Sequence, residues 1–198
     1  MRYIWIWAVL LLAGCLTVGD DPTFFESAPL RGMIYDSEGR GVFGASVGLA
    51  NDDGNEAPVV QSDIQGRFTL PGVSRGEHRL VVRREGYETL QIDTAFLNRT
   101  QVVYARMVSW RALLQLANDA LHDGRFGEAH GYIDRAEQAG GRQPMTGMMR
   151  AVVLHVEGDA RAAEGALEAA MAGAPPGTRV PPVVQAFLQR VQGDGGEL

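Results

Sequence analysis

The 198-residue chain reads as a mixed, two-domain protein: a seven-stranded Greek-key β-sandwich followed by an all-α array of helical hairpins. Three observations lead there. Residues 30–107 hold short apolar–polar alternations, each bounded by Gly, Pro, Asn or Asp at near-regular intervals, as a sandwich requires. Residues 109–192 are rich in Ala, Leu and Gln at helical spacing. Small residues in that second half also recur 34 positions apart: Gly124 with Gly158, Ala129 with Ala163, Ala136 with Ala170.

Ahead of the sandwich, Tyr3 to Ala13 form an apolar run of eleven residues with Arg2 as the only charge before it. A helix needs about 20 residues, at about 1.5 Å each, to cross a bilayer. The run is too short to span and suits the core of a signal peptide, residues 1–14. Leu12-Ala13-Gly14-Cys15 then resembles the lipobox of bacterial lipoproteins. That resemblance implies cleavage before Cys15, a diacylglycerol on its sulfur and acylation of the new amino terminus. Two or three acyl chains anchor firmly where one gives marginal binding. Leu16, where the enterobacterial retention signal has Asp, points to the outer membrane facing the periplasm.

Residues 15–29, polar and punctuated by proline, read as the lipidated tether. Cys15 is the sole cysteine, so no internal disulfide forms in this oxidising compartment. Removal of Arg2 with the leader moves the net charge from -6 to -7, an acidity that speaks against a nucleic-acid partner. Past the leader no stretch approaches spanning length, which leaves lipid as the expected membrane contact.

In the sandwich, Leu30, Gly32 and Ile34 alternate with larger or polar neighbours, and Asp36-Ser37-Glu38-Gly39 makes a turn. Ala45, Val47 and Leu49 form the second alternation. Val59 to Ser62, Arg67 to Leu70, His78 to Arg84, Glu88 to Ile92 and Val102 to Met107 complete the set. In the fourth, Phe68 and Leu70 face inward and Arg67 and Thr69 outward. The runs G-x-I-Y-D-S-E-G-R-G-V-x-G-A-S-V and S-D-I-Q-G-R-F-T-L-P-G-V, with the Gly86-Tyr87 corner, resemble the carboxypeptidase regulatory-like, transthyretin-type sandwich. The resemblance implies an accessory domain without catalytic residues, and a turn at Asp63–Arg67 in which Gly66 takes positive φ.

The helical half is expected at 109–122, 126–139, 144–157 and 159–172, with a capping helix at 181–191 and a tail at 193–198. Pro144 suits a first turn, Asp159 an N-cap, and Gly140 and Gly173 left-handed C-terminal positions. G-R-F-G-E-A-H-G-Y-I-D-R-A returns as G-D-A-R-A-A-E-G-A-L-E-A-A, which resembles the tetratricopeptide repeat in motif and length. Ala160 in place of Phe126 and Gly147 in place of Leu113 mark the second copy as degenerate. The short break at Val108-Ser109 implies one compact unit.

Candidate chemistry is sparse. Gly72-Val73-Ser74-Arg75-Gly76 fits G-x-S-x-G, but a nucleophile elbow needs a helix after the serine, and EHRLVVRR reads as a strand. His78, His122, His130 and His155 share no metal-binding spacing, although His122 and His130 flank one turn. Asn51 to Glu56 lack an oxygen ligand at the first calcium position, where Leu49 stands, and read as a solvated hairpin loop. Arg75, Arg79, Arg83 and Arg84 gather positive charge on one sheet region. Met145, Met148, Met149 and Met171 make a soft stripe.

These features imply no enzyme, no cofactor and no metal. The expected function is a membrane-tethered interaction or scaffolding module. Its helical groove, read at Tyr132, Arg135, Met148 and Arg150, takes an envelope protein partner. The alternative is a surface lipoprotein that binds carbohydrate or peptide through sandwich loops bearing Phe43, Tyr87 and Phe96.

Overall fold

A computed structural model of the protein describes residues 26–50, 56–141 and 143–173. Among these, seven strands precede four helices: β1 (Ser27–Tyr35), β2 (Ser46–Ala50), β3 (Glu56–Gln61), β4 (Arg67–Ser74), β5 (Gly76–Arg83), β6 (Leu90–Phe96), β7 (Val102–Arg106), α1 (Trp110–His122), α2 (Phe126–Gln138), α3 (Gln143–Glu157) and α4 (Ala160–Ala172). The expected leader and lipobox at Leu12, Ala13, Gly14 and Cys15, the loop 51–55, the expected helix 181–191 and the expected tail 193–198 lie outside the described residues.

The strands form two sheets, ordered β4-β1-β7 and β3-β2-β5-β6. Alternation decides what each strand buries. Leu30 and Ile34 of β1, Phe68 and Leu70 of β4, and Val103 and Ala105 of β7 turn inward from the first sheet. Val47, Leu80, Val82 and Phe96 join them from the second in a single apolar cluster. Arg67 and Thr69 face out as the alternation requires.

Several sandwich elements differ from their sequence reading: β3 starts at Glu56 rather than Val59, β5 at Gly76 rather than His78, and β6 ends at Phe96 rather than Ile92. β4 runs past Leu70 to Ser74, because Leu30 pairs with Leu70 and Ala28 with Val73, and the bulge this creates absorbs Pro71 and Gly72. β6 starts two residues later than Glu88, since Glu88 is held by the helical half instead. At the tight turn before β4, Gly66 has φ +80°, and a Cβ there would overlap the Ile34 carbonyl. Only glycine satisfies both conditions.

The passage from sheet to helix is fixed by backbone bonds. The Glu88 N–H donates to the Val108 carbonyl at 2.9 Å, and the Trp110 N–H donates to the Gly86 carbonyl at 3.0 Å. Arg135 of α2 closes the seam with a two-pronged ion pair, its Nε and Nη2 at 2.8 and 2.9 Å from the Glu88 carboxylate. Hydrogen bonding to Glu88 holds the Arg135 pKa above its ordinary value, against burial that pulls it down.

The two hairpins share turn bonds and buried small residues at the 34-residue period. Arg125 N–H donates to Ala120 at 2.8 Å and Asp159 N–H to Leu154 at 3.0 Å. Gly124 and Gly158 both have positive φ, +70° and +95°. Ala117 and Ala151, Ala129 and Ala163, Ile133 and Leu167, and Ala136 and Ala170 are buried in matched pairs. Asp159 caps α4 by accepting from the Ala162 N–H at 3.0 Å. Gly140 is left-handed as expected, but Gly173 is not: its φ is -85°, and its N–H continues the helical pattern to the Ala169 carbonyl.

Candidate functional site

The site is built on α1 and α3. Successive turns of α1 send Leu113, Ala117 and Ala120 into the packed interior. Trp110, Leu114 and Asn118, at i, i+4 and i+8, line the side towards α3, the first two while belonging to the same buried cluster. Met145, Met148, Met149 and Val152 face them at i, i+3, i+4 and i+7 of α3. Between the two stripes lies an apolar trough of about 460 Å³. Its ends carry opposite charges. The Arg111 guanidinium lies 4.5 Å over the Trp110 ring, and Asp119 sits two turns further along α1.

Of the four residues expected to form a groove, Met148 lines this trough, although it is almost wholly buried. The other three hold the fold together. Arg135 is committed to Glu88 and lies 5.4 Å over the Tyr132 ring, which packs against the core of the first hairpin. Arg150 binds Asp134 at 2.8 Å and Glu137 at 3.1 Å, tying α3 to α2. Burial pulls the Arg150 pKa down, and hydrogen bonds to these carboxylates outweigh it, leaving the value raised. Sequence reasoning missed Trp110, Leu114 and Gln115. The available signal was the i, i+4 spacing of Trp110 and Leu114 on the helix facing the methionine stripe.

Elsewhere the candidate groups have structural work. Ser74 ends β4 in a strand-to-strand hairpin, so no helix follows it. His130 lies 2.9 Å from Glu157 and links the hairpins, while His122 meets the Asn118 carbonyl at 2.8 Å, so the two do not pair. Among the described residues no three His, Cys, Asp or Glu side chains gather as a metal site. Arg79 is matched by Asp93 at 2.7 Å, which reduces the expected basic region on that sheet. Phe96 is fully buried and Tyr87 packs on the sandwich core, leaving Phe43 exposed among the loop aromatics. Among the described residues no helix is long and apolar enough to cross a membrane.

Residues 29–108 match the family model of the carboxypeptidase regulatory-like domain. No curated protein matches the chain. Among solved structures it is similar to a streptococcal ancillary pilin, at 20% identity over 42% of this chain and 30% of that one, TM-score 0.35. It is also similar to a 3-chlorocatechol 1,2-dioxygenase from Rhodococcus opacus, at 15% identity over 45% and 62% of the two chains, TM-score 0.30. A putative carbohydrate binding protein from Bacteroides uniformis gives 12% identity over 42% of each chain, TM-score 0.34. The matches span less than two thirds of all three chains.

Proposed function

We propose that the chain is a non-catalytic envelope lipoprotein, a membrane-tethered module that presents its helical face to another protein. The observation that carries this reading is the apolar trough between α1 and α3. An open, methionine-lined stripe of this size suits a partner's apolar side chains. We read the sandwich connections as Greek-key and the hairpins as a degenerate tetratricopeptide-like pair. The shared 34-residue register of turns and buried small residues supports the second reading. A regulatory-like domain over 29–108 supports a non-catalytic role. Lipid on Cys15 would confine the trough to one leaflet and raise its effective concentration at a partner there.

The test is cross-linking pull-down from membranes with the native chain, Cys15→Ser, and Met145→Glu, which places a charge in the trough. Partners recovered with the native chain alone support the proposal. A Cys15→Ser chain that still pellets with membranes and keeps every partner removes the tether, and a Met145→Glu chain that keeps them removes the trough.

A further inference from the structure

The outward face of the sheet β4-β1-β7 carries a group of charges that the sandwich itself does not use. Register places Arg31 of β1 between Thr69 of β4 and Val102 of β7. One step on, Met33 lies between Arg67 and Tyr104, and Tyr35 pairs with Arg106. All three arginines point away from the core, while Tyr104 is 64% exposed and Val102 45%. The outward positions of these three strands hold no carboxylate.

Several arginines of this molecule are matched, Arg79, Arg135 and Arg150 each meeting a carboxylate within 2.8 Å. Arg31, Arg67 and Arg106 have none among the described residues. Asp63, in the turn leading into β4, spends its Oδ1 on the backbone N–H groups of Gln65 and Arg67. With strands about 4.8 Å apart and about 3.4 Å per residue, the three guanidinium stems span roughly 14 Å of one flat face.

We propose that this face seats the protein on an anionic, phosphate-bearing lipid surface. Charge selects the occupant: three unmatched cations, no anion, on a chain whose net charge is -6. The chain contains no lysine, so all three cations of this face are planar forks that grip phosphate through two bonds. Tyr104, Met33 and Val102 between the arginines give the amphipathic mix that settles at a headgroup boundary. An open sheet face meets a plane, whereas the trough on the helices meets a protruding chain.

The inference rests on the tethered reading for closeness. β1 begins at Ser27, and the residues between it and Cys15 reach at most about 40 Å. The choice of lipid rests on the arginines alone. Each arginine near an anionic surface adds enough attraction that three together favour the docked form about a hundredfold.

The experiment uses the chain purified from membranes and reconstituted into vesicles of phosphatidylcholine, with or without phosphatidylglycerol. Thr69→Cys puts a thiol on the face, and Val156→Cys puts one at the far end of α3. A bulky maleimide reports access. Labelling at Thr69→Cys is expected to slow many-fold when phosphatidylglycerol is present, to recover in high salt, and to lose its lipid dependence once Arg31, Arg67 and Arg106 are all changed to Gln. These exposed positions leave the fold intact, which circular dichroism checks. Equal rates on the two vesicle types, slowing that survives the Gln changes, or equal slowing at Val156→Cys overturns the proposal. Labelling of Cys15 itself shows a missing acyl chain. That result defeats the lipoprotein reading separately, whereas the phosphatidylglycerol dependence at Thr69→Cys reports on the arginine face.

Discussion

In the first hairpin Leu113, Leu114 and Ile133 fill the space between α1 and α2, with Trp110 closing the end on Gly86. The corresponding positions of the second hairpin hold Gly147, Met148, Leu167 and Pro144. The inter-helix turns are nearly the same in both, yet the buried volume is not. A Cβ on Gly147 would lie 2.7 Å from that of Ala170, so α3 and α4 pack by close backbone approach rather than by large side chains. The first hairpin is also fastened to the sandwich through Arg135 and the backbone bonds at Gly86 and Glu88. Local turn chemistry copies a backbone, and core volume decides how firmly each copy stands. The trough therefore has one wall packed by large side chains, α1, and one packed by close backbone approach, α3.

The comparison breaks most visibly at Leu113. Leu113→Ala removes a fully buried side chain from the firm hairpin and is expected to cost about 3 kcal/mol in a denaturant titration, with both hairpins lost. Gly147→Leu restores the first hairpin's residue but overpacks the second, at about 2 kcal/mol. Amide exchange should rise in α3 and α4 and stay unchanged in the strands. Stabilisation by this change would contradict the close-packed reading.

A smaller effect, about 1.5 kcal/mol, is expected from Asp36→Asn, which belongs to the sandwich and should leave exchange in both hairpins alone. Burial would raise the Asp36 pKa. The Arg40 and Glu38 backbone N–H groups and the Arg40 guanidinium outweigh it and leave the value lowered. The carboxylate therefore stabilises the fold above its unfolded pKa of about 3.9, and this contribution fades as pH falls through the lower folded value. The gap between native and Asn proteins should be full at neutral pH and close in strong acid. Asp159→Ala removes the α4 cap for about 1 kcal/mol, and the loss should appear in the second hairpin's exchange alone.

Much of this architecture was legible because its signals are local. Alternation marked all seven strands, since each residue's facing follows from its neighbours two positions away. The 34-residue spacing placed the helix ends to within a residue, since Gly124 and Gly158 punctuate both turns. What the sequence withheld is non-local. The parallel pairing of β1 with β7 joins residues about seventy positions apart, and without it Arg31, Arg67 and Arg106 do not read as a group. Arg135 was expected in a groove; nothing near it in sequence points to Glu88, 47 residues earlier. The trough failed for a related reason: helical spacing names a face, and only packing says which neighbour that face meets.

The most direct measurement is site-specific photo-cross-linking in native membranes, with the reactive side chain at Met145 in the trough or at Val156, an equally apolar exposed position of α3. A protein module docked in the trough predicts one discrete adduct from Met145, absent from Val156, and lost when Cys15→Ser frees the chain from the bilayer. The same adduct from both positions, or none from Met145, contradicts it.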